Sequence, residues 1–201
     1  MNVVEACLLA RLPTADDFRQ ALPDSSIIAS ARRGDRSALD ELVRRHQNRI
    51  YNLAYRMLRQ REDAEDVTQE AFLKAFEALP RLRHDAAFRS WLSRIAANLC
   101  LMRLRSRPEP TAVATDVETP SGDTGRDERW SGREIAVSIR DAIALLPPKY
   151  RLAVVAFYVE GRSYEEGARL AGVPRLTFKT WLYRARRMLR DALAAEKEAE
   201  P

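Results

Sequence analysis

A chain of 201 residues with 46% hydrophobic and 31% charged residues has room for two small domains with surface-rich cores. Its formal net charge is +5, and no apolar run approaches the ~20 residues needed to span a bilayer. The two cysteines, Cys7 and Cys100, are too few for a disulfide scaffold and lack zinc-ligand spacing, and the opening MNVVEACLLARL has no positive start and is interrupted by Glu5. The expectation is a cytoplasmic chain without a signal peptide, membrane insertion, metal or cofactor, in which the cysteines are ordinary small core residues.

Almost all periodicity in the sequence is helical, so the predicted fold class is all-α. After the Gly34-Asp35 turn, Leu39, Leu42, Val43, Ile50, Leu53, Ala54, Met57 and Leu58 recur at three- and four-residue steps, which predicts one long amphipathic helix starting near Ser37. The next is predicted from Asp63, a good N-cap, and buries Ala64, Val67, Ala71, Phe72, Ala75 and Leu79 before Pro80 stops it. A third, from about Ala86 to Arg105, carries Phe88, Trp91, Leu92, Ile95 and Leu99 as its core stripe. Together they define a helical domain over residues 24–106, with residues 1–23 as an extension of unassigned role.

From Pro108 to Ser131 the sequence PEPTAVATDVETPSGDTGRDERWS is rich in Pro, Thr, Gly, Ser and acids and has no usable period, so residues 107–133 read as a flexible linker in which Trp130 is the one large apolar side chain. A second domain follows over residues 134–195. Ile135 to Leu146 is predicted helical, Pro147-Pro148 ends that helix and seeds another, and the latter closes at Gly161. Ser163-Tyr-Glu-Glu166 has capping-box spacing and starts a short helix ending near Ala171-Gly172. The last helix starts between Pro174 and Thr177 and runs to about Ala194, with residues 196–201 as a tail. Two helices joined by a short glycine-containing turn form a helix-turn-helix, whose second helix enters the DNA major groove.

Helical hairpins without DNA partners share that spacing, and charge separates the two readings. Arg175, Lys179, Arg184, Arg186, Arg187 and Arg190 occur in the last helix, with no acid from 175 to 190. Neutralising phosphates supplies much of protein–DNA affinity, so this helix is read as a DNA contact rather than a solvated face. Phe178, Leu182, Ala185 and Leu189 are predicted to point inward, leaving Lys179, Tyr183, Arg187 and Arg190 outward with Thr180 and Arg184 beside them. A second basic zone holds Arg81, Arg83, Arg89, Arg94, Arg103, Arg105 and Arg107 against the single acid Asp85. Arginines interleaved with aromatics can hold melted DNA, but Phe88 and Trp91 fit the core stripe and are read as packing, leaving Asn98 and the loop from Arg81 to Asp85 as base-contact candidates. Catalysis is not expected: His46 and His84 lack Glu-x-x-His partners, and no P-loop, nucleophile elbow or H-E-x-x-H is present.

The order DAEDVTQEAFLKAF, FRSWLSRIAANL, linker, LPPKYRLAVV, EGRSYEE and TFKTWLYRARRMLR resembles the extracytoplasmic-function sigma factors of bacterial RNA polymerase over residues 24–193. The resemblance implies an initiation factor whose first domain holds the polymerase core and opens the minus-ten element while the second reads the minus-thirty-five element. It implies core contacts at Asp66, Gln69, Glu70 and Leu73, minus-ten contacts at Arg81, Leu82, Arg83, Asn98 and Arg105, and minus-thirty-five contacts at Arg175, Thr177, Lys179, Thr180, Tyr183, Arg184 and Arg187. The implied partners are the clamp helices of the largest core subunit and the flap, promoter DNA, and an anti-sigma factor. Steps of i, i+4, i+7 and i+11 set Leu73 among Asp66, Glu70 and Glu77, an apolar residue with a polar rim that suits a protein interface. A helix-turn-helix regulator that never joins the polymerase would share the last two helices but would leave the acidic helix unexplained.

Some positions depart from the family pattern. Gly167 replaces a bulky aliphatic residue, Leu176 a small one, Phe178 a smaller aliphatic one, Trp181 a frequent arginine and Met102 a commonly acidic residue. The expectation is that larger side chains from the last helix fill the space Gly167 leaves.

Overall fold

A computed structural model describes residues 23–106 and 139–199, and every regular element in them is helical. Cys7, Trp130, the expected linker and nearly all of the expected N-terminal extension lie outside the described residues.

The first half is built from α1 (Asp24–Arg32), α2 (Arg36–Leu58), α3 (Arg61–Ala78) and α4 (Phe88–Ser106). Helix α1 does not stand out in the sequence as a separate element, because 9 residues give too few turns for a period to show. It buries Ile27, Ile28 and Ala31 and is pinned to α2 through Asp24, whose carboxylate meets Arg45 and His46 at 3.0 Å each. At the start of α2, Asp35 accepts the Ser37 backbone N–H at 3.0 Å, a side-chain cap just where the sequence turn ends.

Helix α3 begins at Arg61, two residues before the expected start, with Gln60 at its N-cap. Asp63 therefore sits in the first turn rather than at the cap, where an acid still suits the positive end of the helix. Its carboxylate is paired with Arg103 of α4 at 3.3 Å. Pro80 falls in a tight turn, Leu79–Arg81, and a second turn, Asp85–Ala87, leads into α4. Phe88 is fully buried and Trp91 is half-buried against the core, in line with the packing reading. Burial pushes the Cys100 thiol up to about 12, so it stays protonated and unreactive near neutral pH.

In the second half, residues 139–145 form α5, followed by α6 (Pro148–Val154), α7 (Tyr164–Ala171) and α8 (Arg175–Ala199). Beyond Val154 the helix widens into a π turn over Val155–Val159, and Gly161 reverses the chain at φ 63°. The capping box forms as its spacing requires: Glu166 N–H donates to Ser163 Oγ at 3.2 Å, and Ser163 N–H to Glu166 Oε2 at 2.8 Å. Gly172 closes α7 at φ 68°, the left-handed conformation that makes the turn between α7 and α8. Helix α8 continues to Ala199, past the expected end near Ala194, because Ala-Ala-Glu-Lys-Glu-Ala contains only strong helix formers and no stop signal.

The space beside Gly167 is filled as expected. A β-carbon built there would lie 2.2 Å from Cζ of Phe178, and the Phe178 ring is fully buried. The glycine and the large residue on α8 are two halves of one packing solution that sets how closely α7 and α8 cross.

The two halves are not separate cores. A single buried cluster extends from Ile28, Leu42 and Leu92 through Leu152 and Val155 to Leu170, Phe178 and Leu182. Arg151 of α6 is buried and donates to the carbonyl of Met57 at 2.7 Å, at the end of α2, and to those of Ala144 and Leu146. Arg59 ends α2 in the left-handed region at φ 58°, and its guanidinium reaches the Arg140 carbonyl at 2.8 Å and Asp141 at 3.0 Å. These cross-contacts come from residues far apart in sequence, which helical periodicity cannot pair.

Candidate polymerase and promoter interfaces

The acidic face of α3 is exposed as its spacing requires. Val67, Ala71, Phe72 and Ala75 are buried, so Asp66, Gln69, Glu70, Leu73 and Glu77 face solvent, with Leu73 63% exposed. Asp66 is held from behind by Arg103 of α4 at 3.1 Å, and Glu70 by Lys74 at 2.8 Å, both ion pairs at the surface. The result is a large apolar side chain among carboxylates on a rigid helix, a common form for the edge of a protein interface. Arg103 belongs to the basic zone in sequence, but in space it serves the acidic face. Only an ion pair spanning 37 residues reveals this, and no local spacing could have.

The loop entering α4 carries Arg81 and Arg83, both exposed. Leu82 between them is half-buried against the core, so its side chain anchors the loop. Arg32 of α1 is the loop's main fastening. Its Nε donates to the Leu79 carbonyl at 3.3 Å, its Nη2 donates to the Leu82 carbonyl, and its guanidinium pairs with Asp85 at 2.8 Å. Nothing in the Ala31-Arg32-Arg33-Gly34 run signals this role. On α4, Asn98, Met102 and Arg105 form an exposed stripe at i, i+4 and i+7, with Met102 60% exposed. Met102, to which the resemblance assigns no role, therefore lies between two of the candidate minus-ten contacts, Asn98 and Arg105.

On α8 the inward set is as expected: Phe178, Leu182 and Ala185 are buried and Leu189 is half-buried. Arg175, Lys179, Thr180, Tyr183, Arg184 and Arg187 are exposed, while Thr177 is half-buried. Several of the cations are pre-positioned. Arg175 pairs with Glu165 of α7 at 2.7 Å, and the Lys179 ammonium lies 5.2 Å from the centroid of Tyr164. Arg184 donates to the Tyr150 hydroxyl at 3.5 Å, and that contact holds the Tyr150 phenol below its ordinary pKa range. Arg187 is 3.9 Å from Asp191, the first acid after the basic run. Leu176, 75% exposed, and Tyr183, 63% exposed, add apolar surface to the same helix. Among the described residues no helix is long and apolar enough to cross a membrane.

An acidic face around an exposed leucine, a basic loop, and a basic second helix of a helix-turn-helix point to the class. Sigma-70 region 2 matches residues 42–108 and Sigma-70 region 4 matches residues 136–189. Over 172 residues the chain is 40% identical to the ECF RNA polymerase sigma factor SigM of Mycobacterium tuberculosis, covering 85% of each. With the ECF RNA polymerase sigma factor SigE of Mycolicibacterium smegmatis it shares 38% over 167 residues, 80% of this chain and 65% of that protein. The chain belongs to the ECF RNA polymerase sigma factors, the promoter-specific initiation factors of RNA polymerase. Among solved structures it is similar to CnrH in complex with the cytosolic domain of CnrY, with a TM-score of 0.62 and 25% identity over 86% of this chain and 97% of that one. It shares its fold with the sigma factor RpoE of Bartonella quintana, solved with the anti-sigma factor NepR, at a TM-score of 0.59 and 19% identity over 81% and 98% of the two chains.

Proposed function

We propose that this sigma factor docks on the polymerase core through Asp66, Gln69, Glu70 and Leu73 of α3. The loop at Arg81 and Arg83 and the α4 stripe of Asn98 and Arg105 meet the melted minus-ten element. Arg175, Lys179, Thr180, Tyr183, Arg184 and Arg187 of α8 meet the minus-thirty-five element, with Thr177 at the start of that helix. The domains responsible span residues 24–106 and 134–195, joined by 107–133. The observation that carries this reading is the segregation of charge: carboxylates around an exposed leucine on one helix, and arginines and lysines on the surfaces assigned to DNA. The protein contributes no bond-making step. It supplies recognition, and the polymerase supplies the chemistry. An anti-sigma factor is the proposed restraining partner, as NepR is bound to its sigma factor.

Engaging both elements requires the halves to part. Elements named for positions ten and thirty-five are about 25 base pairs apart, roughly 85 Å of duplex at ~3.4 Å per step. A compact chain of this length has a radius of gyration of roughly 16 Å. The Arg151 and Arg59 contacts between halves therefore belong to the free protein and break on the promoter.

The α8 assignment is tested by Lys179→Ala with Arg184→Ala. Core association should be unchanged, while promoter binding by the holoenzyme should weaken. The slope of log affinity against log salt should become shallower by about 1 to 2, one unit for each phosphate that the variant no longer neutralises. Wild-type affinity with an unchanged slope on a minus-thirty-five-dependent promoter would refute it.

A further inference from the structure

Where the halves meet, a cleft of about 460 Å³ is lined by Arg49 of α2, Arg89, Trp91 and Arg94 of α4, and Arg162 and Arg169 beside and on α7. One carboxylate, Glu166, also lines it, and that group already accepts from Ser163 N–H at 2.8 Å and Ser163 Oγ at 2.9 Å. Five arginines thus converge from both halves on one concavity. Two of them bring buried nitrogens that find no hydrogen-bond acceptor among the described residues: Nε of Arg49 and Nη2 of Arg162. The Arg162 side chain is only 9% exposed, and its Nε is committed to Glu160 at 2.5 Å, which leaves Nη2 to seek an acceptor elsewhere. Burial first, and then the like charges of Arg162 and Arg89, press the Arg49 guanidinium below its ordinary pKa range. A buried donor without an acceptor and like charges drawn together are both costly, and both are relieved by a bound anion.

We propose that this cleft is a binding site for a small condensed-phosphate anion, an inorganic or nucleoside di- or triphosphate, held by Arg49, Arg89, Arg94, Arg162 and Arg169. The volume lies in the range of small-ligand pockets and is too confined for a duplex. Planar guanidinium forks match phosphate oxygens two at a time, and a multiply charged ligand answers five arginines better than Glu166 and the Arg162-bound Glu160 do. The half-buried Trp91 offers a ring on which a nucleobase can stack. Because the arginines come from both halves, the bound anion also bridges them. The site itself does not depend on the promoter and polymerase assignments.

The test is calorimetric titration of the full chain with magnesium-free tripolyphosphate and, separately, a nucleoside triphosphate at about 0.15 M salt, with sulfate at matched ionic strength as control. Saturable 1:1 binding of tripolyphosphate is expected, together with a melting temperature raised by roughly 5 °C or more at about a hundred times Kd. Tighter binding of the nucleoside triphosphate would assign the ligand to that source through Trp91, and equal affinity would assign it to condensed phosphate alone. Arg49→Gln with Arg162→Gln should weaken binding at least tenfold. Should that half-buried pair fail to fold, the exposed pair Arg89→Gln with Arg169→Gln carries the same expectation. No saturable binding, an equal effect of sulfate, or a folded variant that binds like wild type would overturn the proposal.

Discussion

Replacing Asp66 and Glu70 together by lysine is expected to abolish stable association with RNA polymerase core while leaving helical circular dichroism unchanged. Both carboxylates are exposed, and their ion pairs with Arg103 and Lys74 are surface pairs whose net worth is about 0 to 1 kcal/mol each, so the fold loses little. At an interface that complements the acidic face, two reversed charges cost several kcal/mol, and about 2.8 kcal/mol is already a hundredfold loss of affinity. Leu73→Ala should weaken association more mildly, because it removes an apolar contact and adds no repulsion. Pull-down or analytical ultracentrifugation with purified core reads both effects. Normal core binding by the double lysine variant would move the docking surface elsewhere.

The second large effect concerns the helix-turn-helix itself. Glycine inside a helix normally costs about 1 kcal/mol relative to alanine, so Gly167→Ala on α7 would by propensity alone stabilise the protein. The structure reverses that sign, because the new methyl group would stand 2.2 Å from a ring that is fully buried and has no open side to move into. Overpacking of this kind costs typically about 1 to 3 kcal/mol, and Gly167→Ile should sit at or beyond the upper end. At roughly 2 to 4 °C per kcal/mol for a chain of this size, Gly167→Ala should lower the melting temperature by several degrees. Phe178→Leu alone should also destabilise, by leaving a void. Combined, the two changes should cost clearly less than their sum, with a coupling of about 1 kcal/mol or more. Additive effects, or a rise in melting temperature for Gly167→Ala, would separate the two residues.

That pair illustrates what the sequence makes legible. Gly167 and Phe178 each break the expected pattern, and their compensation is readable because the capping box and the inward stripe of α8 set both residues on facing helices. The same one-dimensional periodicities expose Leu73 among carboxylates and bury Phe88. They fail where structure depends on pairings across the fold. Arg151 lies in an ordinary amphipathic run, yet its guanidinium serves a carbonyl 94 residues away. Arg32 secures a loop about 50 residues further along, and Arg103 leaves the basic zone to hold Asp66. The joining of the two halves into one cluster has the same origin, since each half buries a face that its own helices do not cover. The start of α3 departs from expectation for a smaller reason: Asp63 suits an N-cap and a first helical turn almost equally, and local sequence does not separate the two.

Run-off transcription of fragmented genomic DNA with purified core, with and without the protein, tests whether this chain gives RNA polymerase a promoter preference of its own. The expected result is a small set of new transcripts whose start sites share upstream minus-ten and minus-thirty-five sequences, appearing only when the wild-type protein is present and absent with the Asp66→Lys, Glu70→Lys variant. A transcript pattern identical to that of core alone, or one that the double variant reproduces in full, would contradict it.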